Sequence, residues 1–267
     1  MHKSKKLTII LFCVIVFAGG WAIFLSHEYV APILMYHSVT PDAQPQNRLA
    51  VSVKAFEHQM HFLRAHHYTI LPLSTLARLI SENKKLPPRT ITVTFDDGYK
   101  DNYTYAFPVL RKYNIPATIF LIVNEIERPE GDRLSWLNIR IMQASGLITF
   151  GSHTLTHPYL TEITSEAILK KEIFDSKKIL EERLGRKVDI FCYPNGSFNK
   201  KIRQLVIDAG YTLAMVTNPG KEYADNDLFL LKRLRISENS SNMFIFAVET
   251  SGYYTFVKEY KKEHKLR

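Results

Sequence analysis

Two short segments of this chain put acids and imidazoles where a hydrolytic metal centre needs them. Thr94-Phe95-Asp96-Asp97-Gly98 ends an apolar run that begins at Thr90, and His153-Thr154-Leu155-Thr156-His157 follows a second run, Leu147 to Gly151. A buried strand that stops in two carboxylates and a glycine delivers acids to the rim of a sheet. Two adjacent ionised carboxylates repel, and a nearby cation relieves that cost. One carboxylate with two neutral imidazoles is the donor set of a catalytic metal site with a position left open for water, and it suits zinc or another borderline divalent ion. The leftover carboxylate can serve as base. Asp96, Asp97, His153 and His157 together therefore suggest metal-assisted hydrolysis. Each half alone has a plainer reading: Asp-Gly is a common turn signal, and two histidines on a polar loop can be unrelated.

Four further places could carry chemistry. His37, after Met35-Tyr36, is either a hydrogen-bonded structural histidine or a general acid, since imidazole holds a proton near neutral pH. Phe191-Cys192-Tyr193-Pro194-Asn195-Gly196 ends a strand in a turn whose backbone N–H groups could also hold an oxyanion. Cys192 could be a soft ligand, but its apolar strand favours packing. Arg233 and Arg235 alternate along a late strand and so face one side; if that side is an interior, one of them must pair with a carboxylate, and surface exposure is the other reading. Trp136 reads as a helix anchor ahead of a sugar-stacking ring.

The elements that must position these residues alternate. Strand-like runs occupy 32–36, 68–71, 90–95, 117–123, 147–151, 188–193, 211–216 and 228–236. Helical spacing covers 55–66, 73–80, 103–113, 134–144, 166–184 and 200–209, with Ser165 as an N-cap and Gly185 and Gly210 as stops. Continuous apolar strands alternating with helices mean a parallel sheet covered by helices, and this many in one domain favour a (β/α) barrel with its chemistry at the C-terminal strand ends. His37, Asp96, Asp97, His153, His157 and the 193–196 turn all fall at such ends. Neither a repeat nor a second domain is expected from this pattern.

Residues 1–28 read as a separate segment. Lys3, Lys5 and Lys6 precede Leu7 to Leu25, which holds no charged residue and approaches the ~20 residues that span a bilayer. An uncleaved membrane anchor is expected, with a cleaved signal peptide as the rival. Either way residues 29–267 form one domain outside the cytoplasmic membrane: single-pass if anchored, secreted if cleaved. Of the formal charge of +9, part sits in the first six residues and part in the tail, Lys258 to Arg267. That reads as a topology signal and a solvated tail, or as attraction to anionic headgroups or wall polymers. No basic-aromatic interleaving points to nucleic acid. With Cys13 in the apolar run, it and Cys192 form no useful bridge, so the domain relies on its core.

At this point the residues resemble the polysaccharide deacetylases with a NodB-type domain, carbohydrate esterase family 4, over about residues 31–240. The motif Thr94 to Gly98 and the spacing His153 to His157 carry the likeness. It implies a distorted, seven-stranded (β/α) barrel, with Asp96 as base and Asp97, His153 and His157 holding one divalent metal, zinc first, with cobalt or nickel as substitutes. Where the broader family carries an arginine before a proline, this chain has Cys192, and no Leu-x-His motif lies near 231–236. Both departures resemble the subgroup that acts on poly-β-1,6-N-acetylglucosamine. In that subgroup His37 maps onto the acid and Arg233 onto the residue that orients Asp96. The implied reaction is N-deacetylation. Asp96 takes the proton of water, the Tyr193–Asn195 turn, chiefly the Asn195 N–H, holds oxyanion and substrate, and His37 protonates the leaving amine. The implied partners are the polysaccharide, the membrane through residues 1–28, and a polysaccharide synthase or export complex. Two rivals stand beside this reading: a peptidoglycan or chitin-oligomer deacetylase, and a tethered glycan-binding protein with a non-catalytic metal site.

Overall fold

The computed structural model describes residues 29–128, 131–217 and 227–254. Ala31–Ser251 form one compact unit. Of a second unit, Met1–Val30 with Gly252–Arg267, the described residues are Tyr29, Val30 and Gly252 to Tyr254; Val30 N–H reaches the Gly252 carbonyl at 3.0 Å. The expected anchor over residues 1–28 lies outside the described residues. Among those described, no helix is long and apolar enough to cross a membrane.

The strands are β1 (Ile33–Tyr36), β2 (Ser38–Thr40), β3 (Ala50–Ser52), β4 (Thr69–Ile70), β5 (Thr90–Phe95), β6 (Ala117–Leu121), β7 (Ile148–Ser152), β8 (Ile190–Cys192), β9 (Leu213–Met215) and β10 (Leu234–Arg235). Seven of them form a curled sheet in the order β10-β1-β5-β6-β7-β8-β9, with β4 on the start of β5 and every ladder parallel. One stretch joins the two ends of that order. Leu231 bridges Met215 and the Arg233 N–H reaches the Thr217 carbonyl, while Leu234 and Arg235 pair with Leu34 and Met35. The expected barrel is present in this curled form. The short pair β2–β3 and the helix Met243–Glu249 were not legible as patterns.

Two apolar clusters divide the faces of the sheet. Ile33, Phe120, Ile190, Cys192, Leu213, Met215 and Leu231 form an inner cluster, joined by Leu73, Leu76 and Ala77 of the helix Leu73–Ser81. Their strand neighbours Leu34, Ile119, Leu121, Phe191 and Ala214 belong to the larger cluster shared with the covering helices. That is the period-2 alternation of a strand, expressed on a sheet buried on both sides. The stretch 166–184, expected as one helix, is Glu166–Lys170, a π-helical turn Lys171–Asp175 and Ser176–Leu184, ended by Gly185 at φ 64°. The helix near 103–113 likewise opens with a π-helical turn, Asn102–Ala106. One inserted residue shifts register without erasing apolar spacing, so neither π turn shows in the sequence.

Candidate active site

The same alternation selects what reaches the mouth of the curled sheet. On β5, Phe95 packs outward and Thr94 and Asp96 turn inward. Strict alternation would then send Asp97 away. Its backbone is left-handed instead, φ 70°, and that brings two successive carboxylates to one place. Gly98 follows at φ 63°, where a Cβ would meet the Leu121 side chain at 2.7 Å. On β1, Tyr36 packs outward with its hydroxyl on Gln59, and His37 comes in beside Asp96. On β7, Ser152 bonds Ser176 of a covering helix, and His153 comes in.

Asp97 Oδ1 lies 3.5 Å from His153 Nε2 and 3.6 Å from His157 Nε2. It is buried and, among the described residues, has no hydrogen-bond partner, an expensive state for a carboxylate oxygen. The three donor atoms lie within 4.8 Å of one another. His153 Nδ1 sits 2.8 Å from the Cys192 carbonyl, which only an N–H can satisfy, so Nε2 carries the free lone pair. An orphaned anionic oxygen facing two imidazole nitrogens, one fixed in the ligating tautomer, fits a divalent cation. The His157 pKa is pushed below its usual value, first by burial and then by His153, which keeps the ring neutral as a ligand must be.

Asp96 is held on its other side. Arg233 Nη1 donates to Oδ1 at 2.6 Å and Nη2 to Oδ2 at 2.7 Å. The remaining Arg233 donors reach the Val216 carbonyl, Thr94 Oγ1 and Cys192 Sγ, at 3.2, 3.3 and 3.1 Å, so all five N–H groups are used. Burial raises the Asp96 pKa, but the charge and hydrogen bonds of Arg233 outweigh it and hold the carboxyl far below its usual range. His37 Nε2 is 3.9 Å from Asp96 Oδ2, and its Nδ1 has no partner among the described residues. Burial lowers the His37 pKa against the pull of Asp96 and Asp97, with Arg233 and Arg235 acting in the same direction as burial.

Of the residues expected at the site, the structure gathers Asp96, Asp97, His37, His153, His157 and Arg233. Arg235 is exposed at the end of β10. Tyr193 is a correction. It follows Cys192 and so points outward, its ring against Phe191 and Phe198, and its N–H is spent on the Met215 carbonyl. It offers neither an oxyanion donor nor a surface to substrate. Asn195 stands exposed at φ 55° in the turn Pro194–Gly196. The Tyr193 and Pro194 carbonyls take the Gly196 and Ser197 N–H groups, so the turn closes without the Asn195 N–H. Trp136 is a buried first residue of the helix Trp136–Ala144, beneath Arg183. Cys192 does more than pack: its Sγ is 3.8 Å from both Asp96 oxygens, and burial keeps it a thiol.

Sequence reasoning missed two residues. Thr94 completes the Arg233 donor set and donates to the Leu34 carbonyl at 2.7 Å; threonines at every second position of β5 were its only signal. Glu172, buried in the π turn, accepts the N–H groups of Leu155 and Thr156 and the Thr156 hydroxyl. An acid inside a charged helix gave no signal.

Known proteins resemble this chain in sequence and in fold. A family model described as polysaccharide deacetylase matches residues 83–214. YxkH of Bacillus subtilis (strain 168), a protein assigned as a polysaccharide deacetylase, is 34% identical over 79% of this chain and 72% of its own length. The poly-β-1,6-N-acetyl-D-glucosamine N-deacetylase of Staphylococcus epidermidis is 28% identical over 80% of this chain and 77% of its own. The Streptococcus pyogenes deacetylase PplD, solved in complex with acetate, superposes with a TM-score of 0.72 at 31% identity, over 81% of this chain and 97% of that one.

Proposed function

The chain belongs to the polysaccharide deacetylase family, and we propose that it hydrolyses the N-acetyl amide of poly-β-1,6-N-acetylglucosamine, releasing acetate and leaving a glucosamine unit. The observation that carries the reaction is the orphaned Asp97 Oδ1 facing His153 and His157, with Asp96 held beside it by Arg233. The polymer rests on the likeness to the Staphylococcus epidermidis enzyme and on Cys192 with Arg233 in place of the broader family's arginine.

Asp97, His153 and His157 would hold the cation, zinc by their donor set, with cobalt or nickel able to replace it. When bound, such an ion polarises the acetyl carbonyl and lowers the pKa of water to about 7. Asp96 takes the proton of the attacking water on the lone pair that Arg233 leaves free on each oxygen. Held far below its usual pKa, Asp96 passes the proton on and does not store it. His37, neutral at rest and 3.9 Å away, is the next acceptor and delivers the proton to the leaving amine. The Asn195 N–H at the rim takes the oxyanion. The domain acts outside the cytoplasmic membrane, tethered by residues 1–28 beside a polysaccharide synthase or export complex, or secreted if that segment is cleaved.

The test is acetate release by the full-length protein from poly-β-1,6-N-acetylglucosamine oligomers, after chelation and with zinc, cobalt or nickel restored. Metal-dependent release is expected. Release from chitin or peptidoglycan fragments alone would move the substrate, and retained sugar affinity without release from any of the three would overturn the catalytic reading.

A further inference from the structure

The loop that carries both histidines is held in a conformation its sequence resists. Thr154 sits at φ 67° and His157 at φ 61°. A left-handed backbone is uncommon for any residue with a side chain and is an outlier for a β-branched one such as Thr154, so it persists only where the surroundings enforce it. The enforcing bonds are identifiable. The Thr154 and Leu155 carbonyls accept the Val123 and Asn124 N–H groups at 3.2 and 3.0 Å, beyond the end of β6. The opposite, donor side of the loop goes to Glu172. Its Oε2 accepts the N–H groups of Leu155 and Thr156 at 2.9 and 3.0 Å, and its Oε1 accepts the Thr156 hydroxyl at 2.7 Å. Glu172 is buried and reaches the loop from the π-helical turn Lys171–Asp175, an irregularity of the kind found at functional sites.

We propose that Glu172 is a positioning residue for metal capture: its carboxylate fixes the loop so that His153 and His157 face Asp97 before any cation arrives. The inference rests on the reading of those three residues as ligands and is independent of which polymer is the substrate. Glu172 touches neither the cation position nor the reacting atoms. It acts through the backbone of Leu155 and Thr156, between the two histidines.

Two substitutions separate geometry from charge. Glu172→Asp keeps the charge and shortens the reach by one methylene. Glu172→Gln removes the charge and keeps the geometry, because its amide oxygen can take both backbone N–H groups while its NH2 donates to the Thr156 hydroxyl. The measurement is zinc affinity of the full-length protein, by competition with a chelating dye and without substrate, beside the melting temperature of the metal-free form. Glu172→Asp is expected to lose about 10- to 100-fold in zinc affinity, the range for outer partners of metal ligands. Glu172→Gln is expected to stay close to wild type. Wild-type affinity in Glu172→Asp with a lowered melting temperature would make the role structural only and overturn the proposal. An equal loss in Glu172→Gln would assign the effect to charge and overturn it too. Should Glu172→Asp not fold, Thr156→Val removes a single donor, with an expected loss of about two- to tenfold; unchanged affinity there would overturn the proposal. No acetate is measured, so failure of the deacetylase reading leaves these outcomes interpretable.

Discussion

Arg233 grips Asp96 with both arms of its guanidinium, at 2.6 and 2.7 Å, and both residues are buried. A buried pair of this kind is a weak source of net stability but costly to break, because the surviving charge is left without a partner. Arg233→Leu should therefore destabilise the protein by about 3–5 kcal/mol. Adding Asp96→Asn should recover part of the loss, with a coupling of about 1–3 kcal/mol between the two sites. Urea unfolding of the wild type, both single variants and the double variant measures it, and simple additivity would mean that the contact carries no energy.

The same pair fixes a pH dependence. Asp96 is held far below its ordinary value of 3.8, because the charge and hydrogen bonds of Arg233 outweigh burial. A carboxyl depressed on folding contributes stability in full above its unfolded pKa and loses it as pH falls toward the folded one. The stability difference between wild type and Asp96→Asn should hold constant from pH 7 to about 5 and shrink only below about pH 4. A difference already declining between pH 7 and 5 would mean that Asp96 is not held as the geometry requires.

Base and ligand roles separate by substitution. Asp96→Asn should lower kcat by about 10²–10⁴-fold while zinc stays bound, because Asp97, His153 and His157 remain. His153→Ala should lose both. Metal content by mass spectrometry, read beside acetate release, distinguishes the two, and near-normal turnover in Asp96→Asn would remove it as the base.

His37 is tested by the leaving group. An amine needs a proton to depart and a phenolate does not, so His37→Ala should lose about 10²–10⁴-fold on the N-acetyl sugar and little on an aryl acetate. Equal losses on both substrates would make His37 a structural histidine, the plainer of its two readings.

How much of this was legible can be argued from particular residues. Asp96, Asp97, His153 and His157 were readable because each pair follows an apolar run, and parallel sheets carry their chemistry at that end. Their mutual distances were not readable, since they depend on left-handed backbone at Asp97, Thr154 and His157, residues whose own types do not announce it. Glu172 was invisible because a buried acid in a π turn looks, in sequence, like any acid of an exposed helix. The closure of the sheet was hidden because 231–235 changes partner midway, from β9 to β1. The expected substrate role of Tyr193 failed on parity: Cys192 faces in, so its neighbour faces out.

Tyr193 gives the sharpest test of that parity. Its hydroxyl is buried and has no hydrogen-bond partner among the described residues. Leaving a buried hydroxyl unpaired costs about 1–3 kcal/mol, and removing it recovers part of that. Tyr193→Phe keeps the ring between Phe191 and Phe198 and deletes only the unpaired oxygen. It should be neutral or stabilising by about 1 kcal/mol in urea unfolding, and KM and kcat for acetate release should not change. A rise in KM would mean that the hydroxyl reaches substrate and that the residue turns inward, against the alternation that brings Asp96 and Cys192 inward. Stability gained with kinetics unchanged would leave the turn's backbone at Asn195 as the part of 193–196 able to meet substrate.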